Sequence, residues 1–111
     1  MSITMSMNHI QESQALIQKN YMSHTPSCNL DYMKDQLLSL IMEATEAMDE
    51  LPWKRWKKNQ SFNRSEFIGE LVDVQLFLFN LVNEVGVAHD QFITLCRTKQ
   101  MHNIHRQTNG Y

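Results

Sequence analysis

Residues 70–80, ELVDVQLFLFN, decide the fold of this chain. They contain no glycine or proline, and the surrounding apolar residues Phe67, Leu71, Val74, Leu78, Leu81, Val82 and Val85 recur at helical spacing. Val72, Leu76, Phe77 and Phe79 carry the apolar surface round most of the same cylinder. A helix of that kind must be buried on nearly all sides. A chain of 111 residues has too little mass to do this alone, so a subunit interface is expected along it. Glu70 and Asp73 interrupt the run three residues apart, which puts both carboxylates on one helical face. Burying an unpaired carboxylate costs several kcal/mol, so this pair needs a partner.

A second acidic pair, Glu43 and Glu46 in EATE, has the same spacing in the preceding helical run. If the two faces meet, four carboxylates lie within a few ångströms. Each like-charge pair at ~5 Å then repels by about 3 kcal/mol at an effective dielectric near 20. A hard divalent cation neutralises such a group, and ligation by oxygen alone points to Mg²⁺, with Mn²⁺ as substitute. The bland alternative is that Glu43 and Glu46 simply face solvent, as most glutamates do. Asp49 is a candidate supporting carboxylate, and Glu50 reads as a solvated helix end.

Around these pairs the spacing predicts four helices. The first covers about Ile10 to Met22, with a stripe of Ile10, Leu16, Ile17 and Tyr21, and stops before Pro26. The second runs from Leu30 to about Glu50, capped by Asn29 or Asp31 and ended by Pro52. Its stripe is Met33, Leu37, Leu40, Ile41, Ala44, Ala47, Met48 and Leu51. The third starts after Asn63, with Glu66 completing a capping box, and ends at Val85 with Gly86 as its cap. The fourth covers about His89 to His105, with Phe92, Ile93, Leu95, Cys96 and Ile104 inward. With eight methionines, three glycines, two prolines and no strand-like alternation, the chain reads as one all-α domain over residues 1–111. It is a four-helix protomer that forms an oligomeric bundle, a homodimer or homotetramer.

A formal charge of −2 argues against a nucleic-acid partner. The apolar run from Val74 to Val82 is too short to span a bilayer. Cys28 and Cys96 have no metal-type spacing and are too few for a disulfide framework. The opening MSITMSMNH lacks the basic and apolar regions of a signal peptide. The expected setting is therefore cytoplasmic and reducing.

Two further segments carry candidate chemistry. WKRWKKNQSFN, residues 53–63, holds four of the ten basic residues beside two tryptophans. It is either a solvated charge run or a substrate wall, with Trp56 lining a pocket and Lys57 approaching phosphate as a point charge. In KQMHNIHRQTNGY, Lys99, Asn103 and Arg106 share one helical face. They form either an exposed polar face suited to a helix C-terminus or an anion clamp with a bidentate arginine. His102 and His105 lack the further ligands that zinc requires.

The succession EATE, LPWKRWKK, ELVDVQLF and KQMHNIHRQTNGY resembles the all-α nucleoside triphosphate pyrophosphatases, the MazG-like superfamily with its ExxE and ExxD motifs. Within it the chain is most similar to the dimeric dUTPases and the phage dCTPase/dUTPase enzymes. These share W-K-x-W-K, here Trp53 to Lys57, and the closing K-x-x-x-N-x-x-R-Q-x-x-G-Y, here Lys99 to Tyr111. The resemblance implies that Glu43, Glu46, Glu70 and Asp73 bind Mg²⁺, with Glu46 orienting the attacking water. It also implies that Lys57, Lys99, Asn103, Arg106 and Tyr111 contact the phosphates of a nucleoside triphosphate and that Trp56 lines the nucleoside pocket. In the family an amide-bearing first helix reads the base; Gln11, Gln14, Gln18 and Asn20 are the candidates here, with Gln18 preferred. The chain departs from the larger dimeric enzymes by lacking their long insertion between ELVD and the final motif. The implied activity is Mg²⁺-dependent hydrolysis of dUTP, dCTP or both to the monophosphate and pyrophosphate. The alternatives are a broad-specificity MazG-like house-cleaning pyrophosphatase and a non-catalytic helical oligomerisation module.

Overall fold

The structure, a computed structural model, describes residues 5–109. It contains four α-helices: α1 (Met7–Met22), α2 (Leu30–Asp49), α3 (Arg64–Glu84) and α4 (His89–Thr108). Their starts follow from side-chain capping. Asn29 Oδ1, rather than Asp31, accepts the Tyr32 N–H at 2.9 Å, and Asn63 Oδ1 accepts the Glu66 N–H at 3.0 Å. α1 begins three residues earlier than its apolar stripe suggests because Ser6 and His9 close a reciprocal capping box. Gly86 ends α3 with φ of 76°, a left-handed conformation that glycine adopts without the steric penalty of a Cβ.

α2 and α3 form the main packed pair, α1 lies against α3, and α4 rests lightly on α1. The fully buried apolar core is small: Ala47, Phe79 and Val82. Among the described residues buried polar groups outnumber it: Gln11, Gln14, Asn80 and Glu84. α1 turns an amide face inward, contrary to the stripe read from the sequence. Leu16, Ile17 and Tyr21 are exposed, whereas Gln14 Nε2 donates to Asn80 Oδ1 at 3.0 Å and Gln11 Nε2 donates to Asn83 Oδ1 at 3.1 Å. The partners explain the orientation: α3 presents asparagines where α1 crosses it, and buried amides must be hydrogen-bonded.

The expected inward face of α4 is also corrected. Phe92 is half-buried, but Ile93, Leu95, Cys96 and Ile104 are exposed, and no residue of α4 is fully buried. Among the described residues α4 has only its light contact with α1 to cover it. Likewise Ile68, Leu71 and Val72 on α3 stay exposed. The radius of gyration is 17.4 Å, against about 13 Å for a compact domain near this length. Among the described residues no single helix is long and apolar enough to cross a membrane.

Glu84 ties the far end of this assembly together. It is 2% exposed, accepts the backbone N–H groups of Ser27 and Asn29 at 3.1 and 2.8 Å, and lies 2.6 Å from His24 Nε2. His24 in turn stacks on Tyr32 with ring centroids 3.6 Å apart. Burial alone would raise the carboxyl, but the donors from Asn29, His24 and Ser27 outweigh it and hold Glu84 below its ordinary value of 4.5. A carboxylate depressed in the fold contributes stability above its unfolded value, and that contribution is lost as pH falls through the folded one. Glu84→Gln should therefore cost about 2–4 kcal/mol at neutral pH, with the gap to the parent narrowing below pH 4.5. Urea unfolding across pH 3–7 reads this directly; a gap independent of pH would remove the charge from the explanation.

Candidate metal centre and substrate groove

The site grows from the pairing of α2 with α3. On α2, Tyr32, Gln36 and Glu43 are spaced four and seven residues apart, which places them on one face of the helix. Towards the α3 N-terminus, Glu43, Glu46 and Glu70 converge, with one carboxylate oxygen of each lying within 4.8 Å of the others. Glu43 and Glu70 are half-buried and Glu46 is exposed. Both Glu43 Oε2 and Glu70 Oε2 are buried and have no hydrogen-bond partner among the described residues. Hydrogen bonding to Glu43, then burial, then the approach of Glu46 push the Glu70 carboxyl up from 4.5 to about 7.

Orphaned buried carboxylate oxygens are rare because each forfeits its hydration without compensation. An oxygen-only donor set of this charge suits a hard divalent cation such as Mg²⁺, so the residues present fit the ion expected from the sequence. Asp73 stands one turn beyond Glu70, exposed and outside the cluster. A second cluster, Glu50, Glu66 and Glu70, shares Glu70 with the first. Sequence reading treated Glu50 as a solvated end and Glu66 as a capping residue. The available signal was positional: Glu50 follows Glu46, and Glu66 precedes Glu70, by one helical turn.

A polar spine occupies the other end of the α2–α3 pair. Asn80 Nδ2 donates to Gln36 Oε1 at 2.8 Å while Asn80 Oδ1 accepts from Gln14, linking α1, α3 and α2. Gln18 accepts the Tyr32 hydroxyl at 2.8 Å, so its carbonyl oxygen is engaged. Burial, followed by the charge of Glu84, pushes Tyr32 up to about 12 and keeps it a donor. These partners of Gln18, and the roles of Gln36 and Asn80, were not apparent from the sequence because they lie 14 to 66 residues apart.

The remaining candidates lie apart from these carboxylates, on the α2–α3 connection and on α4. Trp56 is 75% exposed and meets Trp53 edge-on at 5.7 Å. Lys57 lines a cleft of about 240 Å³ with Asp49, Trp53, Lys54 and Gln60. The Gln60 amide holds this loop by accepting the Lys54 N–H at 3.1 Å and donating to the carbonyls of Lys54 and Lys57. Lys99 and Asn103 are exposed on α4 and Arg106 is half-buried. Tyr111 lies outside the described residues.

A family model described as dUTPase matches residues 4–110. The chain therefore belongs to that family, the all-α dCTP/dUTP pyrophosphatases, as its motif order implies. No curated protein and no solved structure gives a significant match.

The raised Glu70 carboxyl yields a test of the site itself. In the fold it keeps its proton up to about pH 7, whereas unfolded it releases it near 4.5, so without a cation stability falls as pH rises between those values. In chelator, the parent's melting temperature should decline across that window relative to Glu70→Gln. Excess Mg²⁺ at pH 7.5 should raise the parent by several degrees and leave the variant nearly unmoved. Parallel pH profiles with equal Mg²⁺ responses would show that Glu70 carries no special charge.

Proposed function

We propose, from membership of the dUTPase family, that this protein hydrolyses dUTP, with dCTP as the second candidate, to the monophosphate and pyrophosphate. The observation that carries the reading is the convergence of Glu43, Glu46 and Glu70 with two buried, unpartnered carboxylate oxygens. In this reading they hold Mg²⁺, or Mn²⁺ in its place, and Asp73 joins them from the next turn of α3. Bound, the cation polarises the phosphoryl oxygens and offsets charge that develops on them. Glu46, the exposed member, orients the attacking water and accepts its proton. Lys57, Lys99, Asn103, Arg106 and Tyr111 hold the phosphates, and Trp56 covers the nucleoside. The working enzyme is a homodimer or homotetramer.

The amides at the other end of the α2–α3 pair support a uracil preference. With its oxygen engaged by Tyr32, Gln18 presents its NH₂ group. A donor there pairs with the carbonyl at the uracil 4-position, where cytosine carries an amine. Tyr32 and Glu43 lie eleven residues apart on one face of α2. That is about 16 Å of helix, a separation on the scale of an extended nucleoside triphosphate.

Pyrophosphate release from a panel of ribo- and deoxyribonucleoside triphosphates, in Mg²⁺ and in chelator, tests the reading. Turnover should require the cation and favour dUTP, and Glu46→Gln or Asp73→Asn should each reduce it about 100-fold or more. Gln18→Ala should raise KM for dUTP about tenfold, ~1.4 kcal/mol, and narrow the preference over dCTP. Near-full activity in both carboxylate variants would overturn the metal assignment; equal turnover of all bases would favour a house-cleaning pyrophosphatase.

A further inference from the structure

The connection between α2 and α3 has neither regular structure nor a core to hold its shape. It spans fourteen residues, 50–63, none of them helical and none with a buried side chain, whereas helix–helix connections in bundles usually run to about 2–8 residues. Lys54, Arg55, Lys57 and Lys58 crowd four cations into five positions, and like charge extends a chain that nothing restrains. The segment is nevertheless bent back on itself. The Lys57 N–H donates to the Lys54 carbonyl at 3.1 Å, closing a turn over residues 54–57. Gln60 takes hold of both ends of that turn with one carboxamide. Its Oε1 accepts the Lys54 N–H at 3.1 Å, and its Nε2 donates to the Lys54 carbonyl and, at 3.0 Å, to the Lys57 carbonyl. The exchange with Lys54 copies the paired hydrogen bonds of two antiparallel strands. It needs a side chain with a donor and an acceptor at one end. The side chains on the turn follow from it. Lys54 holds its Nζ 5.6 Å from the centre of the Trp53 ring, and Trp53 meets Trp56 edge-on. Lys57 lines the adjoining cleft.

We infer that Gln60 is a positioning residue, which holds the 54–57 turn in the shape that sets Trp56 and Lys57 for substrate. This rests on the proposed function for the ligand, a triphosphate whose phosphates Lys57 meets. A point charge on a flexible stem gains most from a fixed backbone, because less freedom is lost when it binds. Gln60 acts through Lys57 and Trp56 and need not touch the substrate itself.

Gln60→Ala and Gln60→Glu test this against the parent; the glutamate keeps the shape and the acceptor but has no donor at neutral pH. The chain has two tryptophans, so cross-relaxation between their indole rings in nuclear magnetic resonance reads the shape of the turn without any ligand. It should be present in the parent and lost in both variants. The helical melting temperature should stay near the parental one, because the segment buries no side chain. Affinity for inorganic triphosphate in Mg²⁺, measured by calorimetry, should fall about tenfold in both variants. In a Lys57→Ala background Gln60→Ala should cost little more, since residues that act through one another are not additive. Cross-relaxation that survives Gln60→Ala overturns the inference whatever the substrate. So does an affinity unchanged in Gln60→Ala but lowered by Lys57→Ala, which leaves the phosphate reading standing. A loss from Gln60→Ala that is equally large in the Lys57→Ala background overturns it too, because Gln60 then acts elsewhere. Affinity indifferent to Lys57→Ala removes Lys57 as a phosphate ligand and the inference with it.

Discussion

Glu43, Glu46 and Glu70 are held against one another where α2 meets α3, and this crowding of like charge is the constraint around which the rest of the protein is arranged. It arises from helix geometry alone: acidic residues three apart share a face, and two packed helices bring their faces together. The fold leaves two of the oxygens without a donor and pushes one carboxyl up to about 7. Such crowding weighs on a fold of marginal stability.

At the opposite end of the α2–α3 pair, buried amides and Glu84 do work that a larger apolar core does elsewhere. Hydrogen bonds from Gln14 to Asn80 and from Asn80 to Gln36 register three helices against one another with directional contacts. Glu84 fixes the α1–α2 connection through two backbone donors and His24. The same connection positions Tyr32, whose hydroxyl orients Gln18. The polar spine thus links α1, α2 and α3 through side chains that each engage the next. The cost is a thin core: among the described residues three apolar side chains are buried, and much apolar surface on α2, α3 and α4 is left exposed.

Helix boundaries on α2 and α3 were readable because Asn29, Asn63, Pro52 and Gly86 act locally, within a few residues of the backbone they cap or break, whereas α4, with no side-chain cap at its start, runs on to Thr108 past the expected His105. The start of α1 was missed because its cap is completed by a histidine rather than an acidic or amide side chain. Inward faces were less readable. Apolar periodicity identifies which side of a helix wants burial, but not whether the burying surface belongs to the same chain. Ile93, Leu95 and Ile104 were expected inside and are exposed. On α1 the rule itself failed, since Gln11 and Gln14 found partners on α3 and displaced Leu16 and Ile17 from the interior.

By itself the sequence determined the all-α class, the four helices, the two acidic pairs and the motif order of the dUTPase family, because each depends on spacing within a short stretch of chain. Only the tertiary structure decided that Glu43, Glu46 and Glu70 meet while Asp73 stands outside the cluster, and that Glu50 and Glu66 form a neighbouring one. It alone decided that Gln18 is oriented by Tyr32 and that α4 points away from the carboxylates. These are matters of the angle and offset between helices. They follow from the sum of weak contacts along whole faces, which no local pattern of residues encodes.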